Sequence, residues 1–512
     1  MSRIENTSKN FIFSLLATFV TSITSFVSRT VFIHVIGVTY LGANSLFSNI
    51  LSMLSLTELG LGSAIGFSLY APLAKGDTST IKSLMRFYKK AYRVIALVIA
   101  VLGMALLPFL DYLIKEPGDI QHISFIYIVF LYNTIVSYLF TYKTTLVIAD
   151  QKGYLITNIS TVINVVTVVI QTVILFAFKN YFVYLIVGAV LGTVQWYFIN
   201  RHIYSLYPYL KDKDILPLGE TERKTIATNV KAMVFHKFGE LCINQTDNII
   251  ISSFISIAAV GIYNNYYMII GIINRFAQSI FSAATASLGN LIATEDNSKR
   301  YETFKHYNFL GFWVFGWTGI CLYVLLTPFV QLWLGNDFII DNLTLGLVMI
   351  NYYLVGMRVT IGNVKMAAGL YAQDQWAPIV QAIINLLVSI VGAIHLGLAG
   401  VFLGTVVSSI AVPCWYRPIV VYKYAFNRPV REYFFTYLKY MFVVFLCLFF
   451  VLIINRFIID AWIRNTYVKF FFEMLTCVIV PNAVIILLFY RTSEFSYLLN
   501  VLKSLFKRML NR

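Results

Sequence analysis

Residues Leu41–Asp77 read LGANSLFSNILSMLSLTELGLGSAIGFSLYAPLAKGD, and from Leu41 to Ala74 they hold a single charged side chain, Glu58. A helix needs about 20 apolar residues to cross a hydrocarbon core about 30 Å thick, so this stretch predicts a membrane span with a carboxylate inside it. The rest of the chain agrees. Of 512 residues, 59% are hydrophobic, 16% aromatic and 12% charged, and the mean hydropathy is +0.76. Soluble domains carry about 25% charged residues, which excludes a water-soluble globule. The net charge of +16 does not point to nucleic acid, because Lys and Arg fall in short gaps between apolar runs rather than on a solvated face. Cys242, Cys321, Cys414, Cys447 and Cys477 all lie in apolar stretches without CxxC spacing, which reads as reduced thiols and neither a disulfide frame nor a metal site.

Apolar runs set against polar punctuation give about fourteen spans, at roughly 10–36, 41–70, 91–113, 121–148, 155–177, 182–203, 225–254, 259–292, 306–331, 343–370, 376–396, 399–422, 434–456 and 469–490. The first has neither a dense basic start nor an A-x-A site, so it reads as a retained helix and not a signal peptide. Orientation follows from the connections. Gaps after even-numbered spans hold Lys82, Arg86, Lys89, Lys90, Arg93, Lys143, Lys152, Arg201, Lys211, Lys299, Arg300, Arg417 and Arg428, whereas the opposite side has only Lys115, Lys179, Arg456, Arg464 and Lys469. With the remaining Lys and Arg of those gaps and of the two terminal tails, the basic excess is about 27 against 5 and places both termini in the cytoplasm.

A shift of about 219 residues superimposes the opening stretch on the middle of the chain without a gap. Ile36, Gly42, Ile50, Ser63, Ala64, Ser68, Leu69, Ala74 and Asp77 fall on Ile255, Gly261, Ile269, Ser282, Ala283, Ser287, Leu288, Ala293 and Asp296. A weaker echo places Asn164 on Asn385. The shift spans six helices, an even number, so the halves share one orientation and are related by an axis along the membrane normal. The expected architecture is an all-α polytopic membrane protein. Its parts are a six-helix bundle over 1–203, a linker over 204–224, a second six-helix bundle over 225–424, and two appended helices with a basic tail over 425–512.

Ionisable groups near the bilayer centre cost at least about 2.5–3.5 kcal/mol each, so they are functional candidates. Arg29, Glu58, Lys231, His236, Lys237, Glu240, Asp247, Arg275, Arg358 and Lys365 qualify. His236, Glu240 and Asp247, spaced by four and seven, share one helix face, with Lys237 in ion-pair reach of Glu240. Lys365, near a cytoplasmic end, is expected to snorkel. Arg29, Lys237, Arg275 and Arg358 are the candidate substrate-binding cations. Glu58, His236, Glu240 and Asp247 are candidates for ion coupling or structural pairing. Cations exceed carboxylates, which suits an anionic cargo, and Arg suits a phosphate fork. There is no GxxxxGK[ST] loop and no nucleophile–base pair, so neither ATP hydrolysis nor catalysis is expected, and no cofactor is implied.

The segments RTVFIHVIGVTYLGANSLFSNILSMLSLTELGLGSAIGFSLYAPLAKGD (Arg29–Asp77) and QTDNIIISSFISIAAVGIYNNYYMIIGIINRFAQSIFSAATASLGNLIA (Gln245–Ala293) resemble Gram-positive polysaccharide repeat-unit flippases. These are Wzx-like members of the multidrug/oligosaccharidyl-lipid/polysaccharide export superfamily. The resemblance covers essentially the whole chain. It implies export of undecaprenyl-pyrophosphate-linked oligosaccharide across the bacterial cytoplasmic membrane for capsule or exopolysaccharide assembly, with a basic central cavity lined by Arg29, Arg275 and Arg358. Membrane lipids, a polysaccharide polymerase and export machinery are the partners it implies. Two other readings compete. A multidrug and toxin extrusion antiporter would have twelve helices and a mainly acidic cavity. A polysaccharide polymerase or ligase would need a large outer loop carrying Arg or His, and the outer connections near 332–342 and 457–468 are short.

Overall fold

The computed structural model describes residues 3–55, 61–116, 120–212, 245–294, 296–370 and 376–510, together with Pro217, Gly219 and Gln373. Among them the regular structure is helical throughout, without a strand. Eleven helices among the described residues are long and apolar enough to cross a membrane. They recover the expected spans except three. The span expected at 41–70 is two helices, α2 (Val38–Leu54) and α3 (Leu61–Lys75), following α1 (Arg3–Ile36). The span at 225–254 lies mostly outside the described residues, which show α8 at 245–254. The span at 259–292 is α9 (Ile257–Thr294).

The chain forms two compact units, Met1–Gly261 and Ile262–Arg512. In the first, α4 (Thr78–Leu106) packs on α5 (Ile123–Ala149), and α6 (Gly153–Phe178) packs on α1 and on α7 (Tyr181–Leu206). In the second come α10 (Asn297–Leu334), α11 (Asn342–Ala367), α12 (Ala377–Leu396), α13 (Leu398–Ala411), α14 (Pro413–Val421), α15 (Arg431–Ile454), α16 (Thr466–Phe489) and α17 (Ser493–Leu510). The span expected at 399–422 is broken between α13 and α14. Pro413 has no N–H to continue the ladder, and Val412 leaves helical geometry (φ −121°, ψ −75°).

The 219-residue repeat is visible in how helices begin. Asp77 caps α4, its carboxylate accepting from the Thr80 N–H at 3.0 Å. Asp296 caps α10 in the same way, accepting from the Lys299 N–H at 3.0 Å. The same offset relates cap to cap and donor to donor. Each carboxylate satisfies one of the amides that a helix start leaves open and faces the positive end of the helix dipole. The echo at Asn164 differs. Asn164 is exposed on α6, whereas Asn385 is buried on α12 and donates to the Thr405 hydroxyl at 3.2 Å.

Small residues hold the tightest pair together. α12 turns directly into α13 through Gly397 (φ 57°, ψ −133°), a conformation that a side chain would strain. A Cβ at Gly392 or Gly400 would collide with the other's backbone, and one at Gly404 with Ser389. Such close approach gives the contact area that substitutes for a hydrophobic driving force inside a bilayer.

The C-terminal pair is fastened by a proline. Pro481, inside α16, cannot donate to the carbonyl of Cys477 four residues earlier. That oxygen instead accepts from the Trp317 Nε1–H of α10 at 3.0 Å and from the Cys321 Sγ–H at 3.5 Å. A second indole, Trp313, donates to Asn482 Oδ1 at 2.7 Å. Where no water is at hand, a freed carbonyl must find such donors, so the proline converts a local defect into an interhelical bond.

Candidate functional site

Among the candidates, Arg358 has the most complete surroundings. It lies two-thirds along α11, is 5% exposed, and points at the α13–α14 junction. Its Nη1 donates to the Ser409 carbonyl and to Cys414 Sγ, both at 3.3 Å, and its Nη2 donates to the Ser409 hydroxyl at 3.4 Å. The Ser409 hydroxyl in turn donates to Asn351 Oδ1 at 3.2 Å. These partners are neutral and at the long end of hydrogen bonding. Among the described residues no carboxylate pairs with this guanidinium, and its Nε–H has no acceptor. The rings of Tyr433 and Tyr437 on α15 stand within its field. The buried hydroxyls of Tyr437 and of Tyr353, whose rings are 6.2 Å apart, have no partner among the described residues either. The Arg358 Nε–H and the hydroxyls of Tyr353 and Tyr437 are thus three buried polar groups without partners among the described residues. A buried cation that is not neutralised is costly unless something anionic or strongly accepting completes it.

The cationic character continues along the same helix. Lys365, two turns beyond Arg358, is 8% exposed, so the side chain is buried and, contrary to expectation, does not snorkel. Between them is Gly362, where Arg417 of α14 brings Nη1 to 3.9 Å from the place a Cβ would occupy. A second guanidinium therefore stands beside α11 at this height. Flanking polar groups are satisfied. Asn363 donates to the Tyr307 hydroxyl at 2.9 Å, Tyr307 to the Phe281 carbonyl at 2.9 Å, and Thr360 to Asn308 at 3.0 Å.

The other candidates are placed less uniformly. Arg29 on α1 is half-buried beside Tyr184 of α7. Arg275, near the middle of α9, is exposed. Asp247 is half-buried on α8. Lys237, Glu58, His236 and Glu240 lie outside the described residues. Tyr353, Cys414, Arg417 and Tyr437 escape the sequence reading. The tyrosines look like ordinary interior aromatics, and Arg417 looks like part of a basic cytoplasmic connection. Lys143, which the apolar pattern assigns to a connection, is 6% exposed within α5, donates to Asn200 Oδ1 and stands 4.3 Å over the Tyr204 ring. A cation–π contact and an amide oxygen serve this ammonium where a carboxylate would be usual.

Comparison with known proteins gives these surroundings a context. The family model described as "Polysaccharide biosynthesis protein" matches residues 7–286. No curated protein matches the chain significantly. Among solved structures, the lipid II flippase MurJ in an inward closed conformation is similar at a TM-score of 0.65 and 15% identity, over 94% of this chain and 99% of that one. A Vibrio cholerae MATE transporter, VcmN, is similar at a TM-score of 0.59 and 16% identity, over 84% and 99%. The MATE multidrug transporter DinF-BH is similar at 0.59 and 14% identity, over 82% and 96%. At these identities the likeness is one of fold.

Proposed function

We propose, from the premise that the chain belongs to the polysaccharide biosynthesis protein family, that it flips undecaprenyl-pyrophosphate-linked oligosaccharide repeat units across the bacterial cytoplasmic membrane. The chain is multi-pass, and in this reading both termini are cytoplasmic and transport proceeds by alternating access. The N-terminal bundle (1–203) and the second bundle (225–424), joined by 204–224, do the moving, and 425–512 is appended to the second.

The observation that carries the reading is Arg358. A transporter for organic cations wants a carboxylate at its buried polar centre. Here the buried centre of the second unit is a guanidinium whose contacts are two weak serine oxygen acceptors and a thiol. A phosphate oxygen offers it shorter, charge-assisted bonds, about twice as strong as neutral ones. The partnerless Arg358 Nε and the Tyr353 and Tyr437 hydroxyls would complete the cradle. Ser409 and Cys414 cover the group, so access requires movement at the break between α13 and α14, where the backbone is not tied into one continuous ladder. Arg29, Arg275 and Lys237 are the further cations that we assign to the headgroup's path.

A clean deletion of the gene tests the function. Surface polysaccharide should disappear, and lipid-linked repeat units should accumulate facing the cytoplasm. Normal surface polysaccharide in that strain, with no paralogue present, would overturn the reading.

A further inference from the structure

The first unit carries a groove to which the proposed function assigns no role. α6 and α7 are antiparallel, pinned by Gln171 Nε2 donating to the Tyr184 carbonyl at 3.0 Å and by Gln195 Nε2 donating to the Ser160 hydroxyl at 3.3 Å. Beside the second bond the two helices line an open groove of about 580 Å³. Asn158, Ile159, Val162 and Ile163 line it from α6; Phe198, Arg201, His202 and Ser205 line it from α7. The spacings are i, i+1, i+4, i+5 on one helix and i, i+3, i+4, i+7 on the other, so each set is one helix face.

The lining is sorted by height. Val162, Ile163 and Phe198 form the apolar depth, and Val162 and Phe198 are exposed. Arg201, His202, Ser205 and Asn158 form the mouth, within the last two turns of α7 and the first two of α6. His202 Nε2 is buried and has no hydrogen-bond partner among the described residues. Arg201 is exposed and has no ion pair among them. Among the described residues no carboxylate lines the cavity. The nearby Asp150 is already committed, accepting from the Tyr207 hydroxyl at 2.7 Å and pairing with Lys152 at 2.7 Å.

We propose that this groove is a binding site for an anionic phospholipid of the inner leaflet, of the phosphatidylglycerol type. Its phosphodiester rests on Arg201 and the His202 ring nitrogen, its glycerol hydroxyls on Asn158 and Ser205, and one acyl chain lies along Val162, Ile163 and Phe198. The height fits, because the mouth is at the basic, cytoplasmic end of the hairpin, where headgroups are. The charge fits as well. One guanidinium matches the single negative charge of a phosphodiester, whereas the pyrophosphate of a carried polyprenyl lipid would be left under-compensated. The site is independent of the identity of the cargo.

Native mass spectrometry of the purified full-length protein tests the site, with dioleoyl-phosphatidylglycerol, dioleoylglycerol and undecaprenyl phosphate as probes. The wild type should retain phosphatidylglycerol in preference to dioleoylglycerol. Arg201→Ala should lower phosphatidylglycerol occupancy about tenfold, the loss of a charge-assisted bond, while Arg201→Lys keeps most of it. Val162→Trp, which fills the apolar depth and leaves the mouth intact, should exclude phosphatidylglycerol too. Equal retention by wild type and an Arg201→Ala/His202→Ala double variant would overturn the proposal. So would displacement of phosphatidylglycerol by equimolar undecaprenyl phosphate, which would make this a station for the carried lipid.

Discussion

Gly42 and Gly261 are each other's counterpart in the 219-residue repeat, and they touch. A methyl group on Gly42 would collide with the Ile257 carbonyl, and one on Gly261 with the Val38 carbonyl. Val38 and Ile257 are themselves related by the same offset. The contact between α2 and the start of α9 is therefore reciprocal. Backbone meets backbone there, so movement of a side chain alone would not relieve the clash.

Gly42→Val and Gly261→Val should accordingly each lower the thermal unfolding midpoint of the purified protein, by an amount equivalent to about 1–3 kcal/mol of overpacking. Because both side chains would enter one gap, the double variant should be non-additive. Strict additivity of the two shifts would contradict the reciprocal contact.

Arg358 separates stability from transport. Arg358→Met removes a buried charge and keeps apolar volume, so the protein should be as stable as the wild type or more so. Surface polysaccharide export should nevertheless fall to background. Arg358→Lys keeps the charge without the planar fork and should retain part of the export rate. Export at the wild-type rate by Arg358→Met at normal abundance would remove the phosphate from this pocket.

The exposed Arg275 should behave differently. With little burial to lose, Arg275→Ala should leave the unfolding midpoint within about 0.5 kcal/mol of wild type. It should still slow export if the headgroup passes it. Unchanged export would take Arg275 off the path without touching Arg358.

Topology rests on an ion pair as well as on charge counting. Lys82 Nζ donates to Asp212 Oδ2 at 3.1 Å, so those two positions lie on one side of the membrane. Single cysteines at 82 and 212 should resist a membrane-impermeant maleimide in intact cells, and cysteines at 337 and 464 should react. Labelling of residue 212 from outside would reverse the direction of transport.

The proline-generated bond has a cycle that isolates it. Trp317→Phe leaves the Cys477 carbonyl without its nitrogen donor and should cost about 1–3 kcal/mol. In a Pro481→Ala background the carbonyl regains its partner within α16, and the same tryptophan change should cost distinctly less. Equal costs in both backgrounds, measured as unfolding midpoints, would mean that the indole bond is incidental.

What the sequence conveys is depth along the bilayer. Apolar run length locates eleven of the crossing helices, and matched residues one repeat apart anticipate the paired caps at Asp77 and Asp296. Azimuth is harder to read, because a lipid-facing and an inward-facing side of a helix are both apolar. Arg275 and Arg358 are each well inside a span, yet one is exposed and the other buried. Positions near helix ends mislead in the other direction. Lys143 and Lys365 sit where a lysine ordinarily reaches water, and aromatic rings or tight helix packing enclose them instead. The pocket tyrosines carry no signal at all until Arg358 is placed beside them.

Pro481 also bears on how the chain is assembled. Helices enter the bilayer in the order of their synthesis, so α10, with Trp317 and Cys321, is in place well before α16. Until then those donors have no carbonyl to meet. When the proline-bearing helix arrives, it brings an acceptor that its own ladder cannot use, at the one height where the waiting indole stands. Helix α16 is thereby indexed in register against a helix made more than a hundred residues earlier. A truncated chain lacking it would leave the Trp317 indole without this acceptor.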